Sequence, residues 1–251
     1  MSYYRREIRF GFGDRLTTAV RNLLIANGVI FVLQQLFDPY VTRLFALSAP
    51  LVLPWNFQVW RLFTYMLLHA NFGHLFWNMF ALFMFGCSIE QEWGSRSFYR
   101  YYFLCGLGSA LFALLPFDPI WGVPIIGASG AIYGILVAFA VLFPHRQILV
   151  FFVFPLQARY LVLIFGLISF ASAFGGPQGI AHVVHLGGLI TGFVLLRWAG
   201  LAHPRRRAVG QREFMGSMRN AYRRWRMKRL RKKFESYYEK RSGGDGPDQI
   251  H

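Results

Sequence analysis

Apolar residues gather into six runs along the chain, at 19–37, 72–89, 98–116, 128–143, 159–175 and 180–199. A helix needs roughly 20 such residues to cross a hydrocarbon core about 30 Å thick. The pattern therefore predicts an all-α polytopic membrane protein with six transmembrane helices. No internal repeat is visible. Two connections are too long for simple turns. Residues 38–71 hold Pro39, Pro50 and Pro54 in an aromatic-rich stretch, forming a long first loop. Residues 144–158 hold Phe151, Phe152, Phe154 and Pro155 and are expected to lie along the membrane interface. Three parts follow: a cytoplasmic segment 1–18, a six-span core 19–200 and a tail 201–251.

Composition sharpens this picture. Hydrophobic residues make up 55% of the 251 positions and charged residues only 15%, against about 25% charged in soluble domains. The formal charge of +16 is concentrated at the end, where residues 204–241 carry fifteen Lys and Arg against three Glu. The basic start followed by Leu23 to Phe37 has the layout of a secretory leader. No small-x-small cleavage site follows Phe37-Asp38-Pro39-Tyr40, and further apolar runs come after, so this run is read as a retained first span. Cys87 and Cys105 both sit in apolar stretches and suggest no disulfide framework.

Charge also sets orientation. The Arg-rich N-terminus, Arg96, Arg100, Arg146, Arg159 and the basic tail fall on one side of the predicted spans. Arg43, Arg61, Asp38 and Asp118 fall on the other. The basic side is the cytoplasmic one, which puts both termini there. In the tail, Phe214, Met218, Tyr222, Trp225, Leu230 and Phe234 recur at near-helical spacing among cations. This predicts a helix lying on an anionic leaflet rather than a nucleic-acid-binding arm.

Polar groups inside spans are costly and mark candidate sites. Three clusters stand out: His69-Ala-Asn-Phe-Gly-His74 with Asn78, Gly127-Ala-Ser129-Gly130 with Tyr133 and Gly134, and His182-Val-Val-His185 with Gly188 and Gly192. The fourth run offers about 15 helical residues from Ser129, or about 22 Å, too few to cross. Ser129 is thus expected at a helix N-terminus below the outer surface, where unpaired N–H groups suit a developing oxyanion. Gly130 and Gly134 on one helix, and Gly188 and Gly192 on another, make small-residue stripes that allow close backbone approach. Their pairing would bring Ser129 within hydrogen-bond reach of His185, as an activated serine requires. His74 and Asn78 share a helix face and are expected to donate toward the same pocket. No intramembrane carboxylate accompanies His185, so a dyad is expected.

These residues resemble the rhomboid family of intramembrane serine proteases over roughly residues 55–195. The match rests on Trp60-Arg61, on His69, His74 and Asn78, on Glu90 with Gly94-Ser95, on GASGAIYG at 127–134 and on HxxGxxxG at 185–192. The resemblance implies a six-helix core with a water-filled cavity, Ser129 as nucleophile and His185 as base. It implies that His74, Asn78 and the Ser129 backbone stabilise the oxyanion, with Gly127 and Gly130 supporting and Tyr133 packing against the histidine. Implied substrates are membrane proteins whose spans unwind near the cut, admitted past the fifth helix and first loop. His182 receives no catalytic role. Val184 stands where alanine is frequent and is expected to loosen the last span slightly. An inactive relative that binds membrane proteins without cutting them would be expected to lack the serine or the histidine.

Other classes fit less well. A metal or haem site from His69, His74, His182 and His185 lacks HExxH and nearby carboxylate or cysteine ligands. No cofactor or metal is expected. A transporter would show broken helices in two related halves, and an aspartyl protease needs two intramembrane carboxylates. The expected location is a bacterial inner (plasma) membrane, with the site open to the outer side.

Overall fold

The structure, a computed structural model, describes residues 16–52, 56–115, 123–150, 154–173, 179–198 and 222–231. The chain divides into a unit of residues 1–202 and a second of 203–251. In the first unit, α1 spans Thr18–Phe37, followed by three short helices, α2 (Tyr40–Phe45), α3 (Ala49–Val52) and α4 (Arg61–Thr64). Then come α5 (Phe72–Trp93), α6 (Ser95–Ala113), α7 (Ser129–Leu142), strands β1 (Gln147–Val150) and β2 (Phe154–Gln157), α8 (Ala158–Ala173) and α9 (Gly179–Trp198). In the second unit, residues 222–231 form helix α10.

Among the described residues, α1 and α5 are both long and apolar enough to cross a bilayer, while α7 and α8 are shorter. The long helix α6 begins with Ser95, Arg96 and Arg100, which dilute its apolar character. Outward faces are apolar: α8 exposes Leu163, Ile164, Leu167, Ile168 and Phe170. An exterior of this kind is compatible with lipid and not with water. The architecture is an all-α membrane fold.

Two features depart from the sequence reading. Residues 144–158 hold a pair of strands that the sequence pattern does not announce. β1 and β2 pair antiparallel, with Gln147 opposite Gln157 and Leu149 opposite Pro155. Proline is tolerated there because a two-stranded hairpin is all edge. In addition, α5 continues past 89 to Trp93. Glu90 can stay helical and buried because its carboxylate is fully engaged. It accepts from the Ala19 and Val20 N–H groups at 2.8 and 3.0 Å, from the Thr17 hydroxyl at 2.5 Å and from the Ser95 hydroxyl at 2.6 Å. The anion thereby satisfies orphan donors at the N-terminus of α1 and complements its dipole. Gly94, at φ +77°, then turns the chain directly into α6.

The first long loop is held from within. Arg61, only 3% exposed, donates to the Ala46 carbonyl at 2.5 Å, the Arg43 carbonyl at 2.6 Å and the Gln58 side chain at 2.6 Å. The loop in turn grips the segment leading into α7. Leu47 and Ile125 exchange backbone hydrogen bonds of 2.9 and 2.8 Å, and the Gly127 N–H donates to the Tyr65 carbonyl at 2.9 Å. The segments 1–15 and 201–221 and the residues after 231 fall outside the described residues, so most of the expected N-terminal segment and tail do too.

Removing the Arg61 hub leaves buried carbonyls without donors. Hydrogen bonds to charged groups contribute about 1.5–3 kcal/mol each, net. Arg61→Ala is therefore expected to lower stability by about 3 kcal/mol or more, read as a fall in thermal midpoint in detergent. Arg61→Lys should recover little of it, because a point ammonium cannot span three acceptors in a fixed fork.

Candidate active site

Ser129 is the first residue of α7. The Ile132 N–H is the first of that helix to find a helical acceptor, at Ala128, so the N–H groups of residues 129–131 begin the helix as orphan donors. Gly127, at φ +121°, makes the turn into the helix. A side chain there would meet the His74 ring at 2.7 Å.

His185 reaches Ser129 from α9. Its Nε2 lies 2.8 Å from the Ser129 Oγ. The approach is possible because α9 carries no side chain where it meets the α7 backbone. A Cβ on Gly188 would lie 2.0 Å from the Gly130 carbonyl oxygen, and one on Gly192 would lie 2.8 Å from the Gly134 Cα. Val184, one residue before His185, is buried. The Tyr133 ring stacks nearly parallel on His185, 4.2 Å between centroids and 8° between planes. Ser169 of α8 donates to the Tyr133 hydroxyl at 3.3 Å. Sequence reasoning missed Ser169, since a serine in an apolar span reads as a small packing residue.

His74 and Asn78 occupy the first turns of α5. Asn71 caps that helix by accepting the His74 N–H at 2.8 Å; the Asn-x-x-His spacing carried that signal unread. The His74 Nδ1 accepts the Ala70 N–H at 3.3 Å, which leaves Nε2 as the protonated donor in the neutral ring. Asn78 uses one amide hydrogen on the His74 carbonyl at 2.8 Å and keeps the other. His74 lies over Gly127, whereas Asn78 lines a cavity with Ser129 and Tyr133. That cavity, of about 610 Å³, runs between α5, α7 and α8 as far as Ile148 and Leu149 of β1; its other walls include Trp77, Phe85 and Phe165.

His69 is fully buried and meets His74 edge-on at 5.1 Å, while His182 meets His185 edge-on at 5.8 Å. Among the described residues, no three His, Cys, Asp or Glu side chains converge as a metal-binding group. Cys87 and Cys105 are buried free thiols. The His185 Nδ1 is buried and makes no hydrogen bond among the described residues. Among the described residues no carboxylate reaches the ring, and the Tyr133 ring packs on it.

A serine hydroxyl bonded to an imidazole stands at a helix N-terminus inside an apolar helical bundle, the bundle of an integral membrane protein. Residues 56–201 match the Rhomboid domain, and the chain belongs to the rhomboid family. It is 36% identical over 136 residues to Rhomboid protein 1, mitochondrial, of Saccharomyces cerevisiae, covering 52% of this chain and 38% of that protein. It is 34% identical over 154 residues to Rhomboid protease GluP of Bacillus subtilis, covering 61% of this chain and 28% of that one. A match to RHOMBOID-like protein 12, mitochondrial, of Arabidopsis thaliana is 27% identical over 215 residues, or 78% and 61% of the two chains. In each case the chain spans less than two thirds of the relative's length.

A methyl at Gly188 must push α9 away from Gly130. Overpacking of this kind costs about 1–3 kcal/mol, and a displacement of about 1 Å at reacting groups costs on the order of a hundredfold in rate. Gly188→Ala is expected to label with a fluorophosphonate at Ser129 about a hundredfold more slowly than the parent, per folded molecule.

Proposed function

We propose that this protein is an intramembrane serine endopeptidase that cuts peptide bonds in or next to transmembrane segments of membrane proteins. The observation that carries the reading is the 2.8 Å contact between the Ser129 hydroxyl and the His185 imidazole at the head of the apolar cavity. Family membership supports it, and both residues whose loss would mark an inactive relative are present.

In this reading the Ser129 Oγ attacks the scissile carbonyl carbon while its proton passes to the His185 Nε2. The carbonyl oxygen becomes an oxyanion, held by the Ser129 backbone N–H, the free Asn78 amide hydrogen and the His74 Nε2–H. Collapse breaks the C–N bond, and the leaving amine takes the proton from His185. Water then enters, gives a proton to His185 and hydrolyses the acyl-enzyme, returning Ser129 to its hydroxyl. Tyr133 keeps the imidazole plane aligned throughout, in place of an orienting carboxylate.

The long helices α1 and α5 to α9 serve as six spans of a core at 19–200. Both termini are cytoplasmic, and the site opens to the other face of an inner (plasma) membrane. A substrate span enters through the groove between α5 and α8. The groove walls are apolar apart from Asn78, Ser129 and Tyr133, which matches a lipid-derived substrate segment and not a water-soluble peptide.

Ser129→Ala is expected to abolish cleavage of a reporter span in proteoliposomes without changing the thermal midpoint. Cleavage at the parent rate would remove Ser129 as nucleophile. Asn78→Ala should slow the reaction without stopping it, because backbone donors remain. Loss of one such donor costs about 3 kcal/mol, or on the order of a hundredfold in turnover.

A further inference from the structure

Helix α10 is exposed at every position. Its ten residues include Arg223, Arg224, Arg226, Lys228, Arg229 and Arg231, and no Asp or Glu occurs between Glu213 and Glu235. Six cations thus sit along a helix of about 15 Å. A charge density of this kind attracts anions.

The aromatic residues are arranged as well. Tyr222 and Trp225, one turn apart, bring their rings to 5.8 Å. The Arg229 guanidinium, one turn further, lies 5.4 Å from the Trp225 ring. A flank that presents a tyrosine, a tryptophan and an arginine in contact combines apolar bodies with polar tips. Tyrosine and tryptophan favour the headgroup depth of a bilayer, with one end apolar and the other wet. Arginine pairs bidentately with phosphate oxygens.

We propose that α10 docks through this flank on the anionic phospholipid surface of the membrane in which the rest of the chain is embedded. Charge complementarity selects that partner, since juxtamembrane cation clusters are drawn to anionic headgroups. The chain itself supplies proximity. α10 is covalently joined to the helix that ends at Trp198, so the surface is presented at high effective concentration. A segment that only fixed topology would need the cations, but neither the helix nor the aromatic flank. The inference is independent of the hydrolase reading.

The test uses the full-length protein in nanodiscs of neutral phosphatidylcholine, and in nanodiscs with a third of the lipid replaced by phosphatidylglycerol. Amide hydrogen exchange is followed at residues 222–231 in about 0.15 M salt. Exchange should be at least tenfold slower in the anionic discs. That difference should vanish near 1 M salt, where the Debye length falls to about 3 Å. The double variant Tyr222→Ser, Trp225→Ser keeps every cation and should lose most of the protection. Equal exchange in the two kinds of disc overturns the proposal. So does equal protection in both, which would mean a cover other than anionic lipid. Full protection in the double variant rules out the aromatic flank, and protection in neutral discs only after adding RNA assigns the helix to nucleic acid instead.

Discussion

The site depends on one backbone contact, the meeting of α7 and α9 at Gly130, Gly134, Gly188 and Gly192. Side chains at Gly188 and Gly192 would overlap the α7 backbone, while side chains at Gly130 and Gly134 would run into Ser109 and Cys105 of α6. In lipid, helices gain little by hiding apolar surface from one another, so close packing itself supplies the attraction. The same closeness fixes the relation between the first residue of α7 and an imidazole one turn before Gly188. A hydrogen bond of 2.8 Å between two helices is thus less a local property of serine and histidine than a result of the side chains that α9 lacks at Gly188 and Gly192.

Around that contact the buried polar groups act as clasps. The Tyr101 hydroxyl donates to the Gly134 carbonyl and the Tyr65 hydroxyl to the Gly106 carbonyl, both at 2.8 Å. Each secures a helix at a glycine, where no side chain could do so. Arg61 does the same for the first loop, and the Leu47–Ile125 bridge passes that order to the turn before Ser129. The loop therefore belongs to the site although none of its charged groups enters it. Glu90 plays the equivalent part at the junction of α1, α5 and α6.

Much of this was legible in the sequence because membranes punish polar groups so strongly. Ser129, His185, His74 and Asn78 were visible as exceptions within apolar runs, and the glycine spacing pointed to the pair of helices that meet. The six runs also locate the long helices to within a few residues. What escaped the pattern escaped for physical reasons. The α5 boundary was misjudged because Glu90 reads as a solvated charge until its donors from α1 are known. The hairpin was missed because Ile148, Leu149 and Val150 lack polar alternation. The helices α2, α3 and α4 are too short for a period to show. The link from Ser169 through Tyr133 to His185 required knowing which faces of α7, α8 and α9 meet.

The hairpin also fixes the mechanics of α8. The Ala158 N–H is bonded to the Arg146 carbonyl at 3.0 Å, so the helix is clamped where it leaves β2. Beyond that clamp only Leu161 and Ser169 are buried along its length. Near its other end Ser169 reaches the hydroxyl of Tyr133 at 3.3 Å. A tilt of about ten degrees about that clamp would move the far end, over roughly 24 Å, by about 4 Å and leave the root almost still. Such a tilt would widen the groove beside Ser129 far more than the floor at Ile148, so the width open to any occupant would be set at the hairpin end.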